Sequence, residues 1–164
     1  MPEKETLERA RRDKRQGKAP STQAGEFVRE EIHHVREGKH GARSAKQAIA
    51  IGLSKARRAG VKLPAPPRSA KASTKQSAKS ASRASAHGRT RTSPRRARAV
   101  RRALKREGRS AASHEALARQ AKSAARQRPR SARRAAARKA ARTKGPGERR
   151  AAARKAARTR ARTR

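Results

Sequence analysis

The clearest helix signals of this chain lie in the segment Ser44–Gly60, SAKQAIAIGLSKARRAG. Gln47 follows Ser44 by three residues, a capping-box pattern that marks the start of a helix. Small and aliphatic residues then recur with the 3.6-residue period of one helix face: Ala45, Ala48, Ile49, Gly52, Leu53 and Ala56. Basic residues follow near the C-terminus, where the helix dipole favours cations, and Gly60 ends the pattern. We therefore predict one amphipathic helix here.

A second helix is predicted just before it, from about Thr22 to Glu37. Its apolar face carries Val28, Ile32 and Val35, with Phe27 beside them. Ser21 or Thr22 can cap its start, and Gly38 stands where a helix-ending glycine is expected. The connecting loop GKHGAR is short, so the two helices should form an antiparallel hairpin. This hairpin is the one candidate for a hydrophobic core that the sequence offers.

Charge divides the chain near residue 64. Residues 1–64 contain 16 Lys and Arg against 8 Asp and Glu, whereas residues 65–164 contain 34 against 3. With a formal net charge of +39 and one aromatic residue (a Phe), the chain has little apolar surface to oppose its self-repulsion. We therefore predict a mostly α-helical chain with extensive disorder. Its predicted parts are a charged N-terminal helix (1–19), the hairpin (20–64), a Ser/Ala/Lys-rich linker (65–93) and a long basic tail (94–164).

Two nearly identical segments repeat in the tail: RRAAARKAARTK at Arg133–Lys144 and RRAAARKAARTR at Arg149–Arg160. Ala, Arg and Lys all favour helix. Arg134, Arg138 and Arg142, however, are spaced by four residues and repel one another along one helix face. Short helices are also marginal in water, because their nucleation is costly. We therefore predict conditional helices, which form when phosphates cancel the repulsion.

Capping residues and helix breakers divide the tail into several helical windows. Ser93 before Pro94 predicts one helix start, Ser113 predicts a second, and Ser131 opens the first repeat. The triplet Gly145-Pro146-Gly147 separates the two repeats. The repeats should therefore act as two helical segments joined by a flexible break.

The basic tail predicts a polyanion as partner. Because the tail has no aromatic residues to stack on single-stranded bases, contact with a duplex backbone is favoured. We predict that the chain binds duplex DNA without sequence preference, by phosphate neutralisation and folding on binding, with RNA or the ribosome as the alternative partner. The residues predicted to contact nucleic acid are Arg133, Arg134, Arg138, Lys139, Arg142, Arg149, Arg150, Arg154, Lys155 and Arg158.

Catalytic and metal-dependent functions are not expected from this sequence. No nucleophile–base constellation is recognisable, and the chain has no Cys, so we predict neither an enzyme nor a bound cofactor. His33, His34 and His40 lie near one another in the sequence and near several glutamates, but no two are separated by four residues. We therefore predict solvent-exposed histidines and no metal site.

A membrane association is not expected either. No apolar run approaches the length of a transmembrane helix, and the N-terminus has no apolar segment of a signal peptide. The tail also lacks the bulky apolar face of a membrane-surface helix. We therefore expect a cytoplasmic protein located at the nucleoid.

The segment Lys46–Gly60, KQAIAIGLSKARRAG, resembles a family of small basic bacterial proteins. The resemblance spans residues 20–64 and rests on K/R-x-A-I-A-I-A/G-L-S-x-A-R-x-A-G after a short Gly/His/Lys loop. Members are usually of unassigned function, and some are labelled plasmid stabilization protein. The tail resembles the Lys/Ala-rich arms of histone H1-like bacterial proteins, although Arg replaces most of the Lys. We therefore predict a nucleoid-associated, histone H1-like protein, with plasmid maintenance as an alternative. The hairpin is predicted to contact a protein partner or a second copy of the chain.

Overall fold

The computed structural model describes residues 2–86, 93–143 and 145–162, and these parts of the chain are largely α-helical. The helices within them are α1 (Lys4–Arg15), α2 (Pro20–Glu37), α3 (Ala45–Arg58), α4 (Ala72–Ala86), α5 (Pro94–Arg106), α6 (His114–Arg126), α7 (Arg130–Thr143) and α8 (Pro146–Arg162), with a 3₁₀ turn at Ser110–Ala112. The chain forms two compact units, residues 1–120 and residues 121–164. The predicted extensive disorder is therefore wrong.

The tail is helical in the structure, which corrects the prediction of conditional helices. Helix α7 spans 14 residues and α8 spans 17, lengths at which Ala-rich sequences begin to sustain a helix. Their arginines are exposed, so water screens the repulsion, which costs only a few tenths of a kcal/mol per pair. The summed helix propensity of Ala, Arg and Lys outweighs that cost. Lys144, which ends the first repeat, lies outside the described residues.

Helix α4 lies in the segment predicted to be a solvated linker. Its Ala81 is fully buried, and the helix packs against α3. Alanine side chains are small enough to let a low-complexity helix approach another helix closely. The prediction of a linker without structure is therefore wrong for Ala72–Ala86, while residues 87–92 of that segment lie outside the described residues.

The antiparallel hairpin of α2 and α3 is confirmed, and α1 packs on α2 beside it. Two apolar clusters hold these helices together. The Phe27 cluster consists of Ala10, Ala24, Phe27 and Ala56, with Leu7, Leu53, Val61 and Leu63 packed against it. The Val35 cluster consists of Val35, Ala42, Ala48, Ala111 and Ala112, with Ile32 packed against it. The start of α2 therefore meets the end of α3, and the end of α2 meets the start of α3.

The Val35 cluster depends on a segment far along the chain, so the hairpin does not contain the whole core. The Gly41 N–H donates to the Leu104 carbonyl at 2.9 Å, and the Ala42 N–H donates to the Gly108 carbonyl at 3.2 Å. Arg36 Nε donates to the Ala112 carbonyl at 2.9 Å. A side chain at position 41 would collide with backbone atoms of Glu107 and Gly108, so the close approach requires glycine there.

Most helix ends of the first unit lie where the capping residues and glycines of the sequence predict them. Ser44 Oγ accepts the Gln47 N–H at 3.3 Å, as predicted, while Gln47 Oε1 accepts the Arg43 N–H at 2.8 Å. Gly38 ends α2 with φ of 78°, in the left-handed region that favours glycine. The predicted cap at Ser21 or Thr22 is wrong. Helix α2 begins at Pro20, since proline is favoured at a first helical position.

The helix starts predicted in the tail are partly confirmed. Helix α5 begins at Pro94 after Ser93, and Ser113 Oγ accepts the Ala116 N–H at 3.1 Å at the start of α6. Ser131, by contrast, is not a cap, because α7 already begins at Arg130. No helix in the described ranges is both long enough and apolar enough to cross a membrane.

Candidate nucleic-acid interface

Helix α7 carries an exposed row of arginines, which we call the α7 row: Arg130, Arg134, Arg138 and Arg142. Residues four apart lie on the same side of an α-helix, about 6 Å apart along its axis. The four guanidinium groups therefore project from one side, with Arg133 and Lys139 also exposed on the same helix. Each guanidinium can bind a phosphate through two parallel hydrogen bonds.

Helix α8 repeats this arrangement. Its row, the α8 row, consists of Arg150, Arg154, Arg158 and Arg162, and all four are exposed. Arg149 and Lys155 are exposed on the same helix. Proline and glycine at the start of α8 set it apart from α7, as the sequence predicts.

All ten residues predicted to contact nucleic acid lie exposed on α7 and α8. Sequence reasoning omitted Arg130 and Arg162, although the same four-residue spacing that defines the rows includes both of them. Helix α7 contains six basic residues and no acidic residue, and α8 contains seven basic residues against Glu148. Glu148 lies in the first turn of α8, where the helix dipole favours a carboxylate. Internal ion pairs can therefore neutralise little of this charge.

The first unit, unlike α7 and α8, contains a buried group of charges in which carboxylates predominate. Glu31 is fully buried, and Glu30 is 4% exposed. Lys55 Nζ lies 3.0 Å from Glu30 Oε1 and 2.7 Å from Glu31 Oε2. Burial alone would raise the pKa of Glu30, but the Glu3 backbone N–H, Lys55 and Thr6 hold it below the usual range. Burial alone would lower the pKa of Lys55, but the two glutamates raise it.

Two histidines lie beside these charges, which corrects the prediction that the histidines are solvent-exposed. His34 is 9% exposed, and its Nε2 lies 2.8 Å from Glu3 Oε1. The side chain of His40 is 19% exposed, and its Nε2 lies 3.3 Å from Glu31 Oε1. His33 is exposed as predicted, because the neighbouring helix position points away from the core.

Residues 4–67 match the model of a family of unknown function, DUF6496. The match covers α1, α2 and α3 and includes the segment Lys46–Gly60, on which the sequence resemblance rests. It ends before α4 and before both arginine rows. No curated protein and no solved structure matches the chain. The N-terminal part of the chain is therefore similar to a family without an assigned function.

Proposed function

We propose that this chain binds duplex DNA without sequence preference, through the α7 and α8 rows, as a histone H1-like nucleoid-associated protein. The observation that carries the proposal is the pair of exposed rows, each of four arginines. The two helices that carry these rows contain one acidic residue in total. Exposed arginines can neutralise backbone phosphates, and such phosphate contacts carry no sequence information. Structured RNA is the alternative polyanion.

The shape of the helices supports binding to a groove. Helices of 14 and 17 residues are about 21 and 25 Å long, and most of their non-basic residues are alanine. A helix with such small side chains fits the major groove, which is about 12 Å wide. Helices α7 and α8 are formed in the structure, so the proposal includes no folding step on DNA. Phosphate neutralisation is therefore the whole of the proposed mechanism.

The salt dependence of the affinity should report this mechanism. If each of the eight row arginines neutralises one phosphate, log K should fall with log [salt] with a slope of about −7. The affinity would then decrease by about 10⁴-fold between 50 and 200 mM salt. Fluorescence anisotropy with a labelled duplex of mixed sequence measures the slope directly. A slope close to zero would contradict the proposal.

A charge-matched pair of variants tests the assignment to the rows. The row variant replaces Arg134, Arg138 and Arg142 by Gln, and the control replaces Arg11, Arg12 and Arg15 of α1, which are also exposed. Both variants lose three charges. The row variant should lower the magnitude of the slope by about 3 and the affinity at 0.1 M salt by up to about 500-fold. Equal losses in both variants would show that total charge, rather than the rows, governs binding.

Competition between duplex DNA and structured RNA distinguishes the two polyanions. Because α7 and α8 contain no aromatic residue, neither helix offers a stacking surface for unpaired bases. At equal phosphate concentration and 150 mM salt, we expect duplex DNA to displace RNA from the full-length chain. Displacement in the other direction would favour an RNA- or ribosome-associated function.

The biological setting of the binding is a separate part of the proposal. Chromosome compaction requires binding throughout the genome, whereas plasmid maintenance requires an effect on plasmid inheritance. We propose nucleoid association as the main role, because phosphate contacts carry no sequence information. The N-terminal hairpin would then provide contacts to a partner or a second copy. Plasmid loss without a change in chromosome compaction, in cells lacking the protein, would favour the alternative.

A further inference from the structure

Three potential metal ligands converge between the end of α2 and the loop that follows it. They are Glu31, His34 and His40, which we call the histidine cluster, and one ligand atom from each lies within 4.8 Å of the other two. We propose that this cluster binds a divalent transition-metal ion, with Zn²⁺ as the best match. One carboxylate and two imidazoles are a ligand set that zinc sites use, with water or another oxygen in the fourth position.

Glu31 supplies an observation that points to a cation site. Its side chain is fully buried, yet neither carboxylate oxygen has a hydrogen-bond donor in good geometry. Lys55 makes a close ionic contact at 2.7 Å with Oε2, which leaves Oε1 on the side of His40. A buried carboxylate oxygen without a hydrogen bond is costly. A metal ion at Oε1 would remove that cost.

His40 faces Glu31 in an arrangement that suits a metal ion. His40 Nδ1 lies 3.1 Å from the Gly41 carbonyl oxygen, to which an Nδ1–H can donate. That tautomer leaves a lone pair on Nε2, facing Glu31 Oε1 at 3.3 Å. Two acceptors facing each other repel unless a cation lies between them. A carbonyl that orients a histidine in this way is a usual outer-shell contact of metal ligands.

The separation of these two atoms agrees with tetrahedral coordination. Zinc binds histidine nitrogen and carboxylate oxygen at about 2.0–2.1 Å, so two such ligands at a tetrahedral angle are about 3.3–3.4 Å apart. The distance from His40 Nε2 to Glu31 Oε1 is 3.3 Å. These two ligands could therefore hold an ion without moving apart.

His34 and Glu3 complete the surroundings of the proposed ion. Glu3 Oε1 lies 2.8 Å from His34 Nε2, and the Glu3 backbone N–H donates to Glu30 Oε2 at 3.0 Å, which holds the N-terminal segment in place. An Nε2–H donated to Glu3 would leave Nδ1 of His34 available for the metal. Glu3 is thus suited to orient His34 as an outer-shell contact.

The groups that are ion-paired with the cluster carry more negative than positive charge. Ion pairs connect the cluster to Glu3, Glu30, Glu37, Lys39 and Lys55, so that with Glu31 the group contains four carboxylates and two ammonium groups. With neutral histidines, these groups leave two negative charges uncompensated, in a chain whose net charge is +39. The competing explanation is that a protonated His40 pairs with Glu31 without any metal. Metal titration separates the two explanations.

The experiment uses the full-length chain without a histidine tag, freed of metal with a chelator. Zn²⁺ is titrated in competition with a chromophoric zinc indicator, and Co²⁺ is added separately to follow its visible absorption, which is strong in tetrahedral sites. We expect one Zn²⁺ per chain and an intense Co²⁺ spectrum. The melting temperature should rise with Zn²⁺, because the ion binds only the folded chain. An absence of stoichiometric Zn²⁺ binding would overturn the proposal.

Two variants with a matched control locate the ion. His40→Gln, in a loop, and His34→Gln should each weaken Zn²⁺ binding at least tenfold and abolish the Co²⁺ spectrum. His33→Gln is the control, because the side chain of His33 is 64% exposed and pairs with Glu37 outside the cluster. Circular dichroism checks that the variants keep their helix content. Wild-type affinity in folded His40→Gln, or equal losses in the control, would overturn the assignment to this cluster.

Discussion

The replacement of Gly52 by Ala tests the contact on which the N-terminal core depends. Gly52 lies in the middle of α3, directly against α2. An added Cβ would lie 2.7 Å from Val28 Cα and 3.0 Å from the Phe27 carbonyl oxygen. Both are backbone atoms, so no side-chain rotation relieves the overlap. Helices α2 and α3 would have to move apart by several tenths of an ångström.

Two opposing effects set the size of the change. Alanine is more favourable than glycine inside a helix by about 1 kcal/mol. Overpacking a well-packed interface costs about 1–3 kcal/mol, and here it would loosen the Phe27 cluster. We therefore expect a net destabilisation of up to about 2 kcal/mol, which at about 4 °C per kcal/mol lowers the melting temperature by up to about 8 °C.

Thermal and urea unfolding followed by circular dichroism measure this change. Gly25→Ala is the matched control, because Gly25 lies in α2, is exposed, and has no atom within 4 Å of an added Cβ. That variant should gain the helix propensity of alanine alone and become more stable by up to about 1 kcal/mol. If Gly52→Ala were as stabilising as Gly25→Ala, the close packing of α2 on α3 would be refuted.

Three further predictions concern other contacts in the first unit. Lys55→Met should destabilise the chain by about 3–5 kcal/mol, since it leaves two buried carboxylates without their cation; urea unfolding checks this, and a loss below about 1 kcal/mol would contradict it. Ser44→Ala should cost about 1 kcal/mol through loss of the cap, whereas Ser44→Asp, which keeps an acceptor, should cost less in the same assay. In metal-free protein, the pKa of Glu30 is lower in the folded chain than its unfolded value of about 4.5. Its contribution to the free energy of unfolding is therefore complete above about pH 4.5 and is lost as the pH falls through the folded pKa. Glu30→Gln should flatten the decrease of unfolding free energy at acidic pH, and an unchanged pH profile would show that Glu30 does not contribute.

The features that the sequence predicts correctly depend on contacts between residues that are close together in the chain. Ser44, Gly38 and Ser113 mark helix ends through contacts within four or five residues, and the structure confirms all three. The α2–α3 hairpin follows from two apolar faces and a short loop. The exposure of the arginine rows on α7 and α8 likewise follows from helix periodicity.

The features that the sequence misses depend on distant contacts or on a balance of small energies. Ala81 is buried because α3 covers it, and nothing in the Ser/Ala/Lys-rich segment around it specifies that neighbour. His34 and His40 converge because the loop after α2 turns back, although their separation of six residues matches no helical spacing. The prediction that α7 and α8 are conditional helices is wrong, because their helix propensity outweighs the repulsion between their charges.

The docking of residues 104–112 onto the loop after α2 bears on how the first unit is assembled during synthesis. Val35 and Ala48 emerge from the ribosome long before Ala111 and Ala112, which complete their cluster. Until then, the end of the hairpin has an uncovered apolar surface. The segment 4–67 that matches the family model ends short of these two alanines. A chain cut at that boundary would keep the Phe27 cluster and lack the residues that close the Val35 cluster, so residues 4–67 are less than the folding unit.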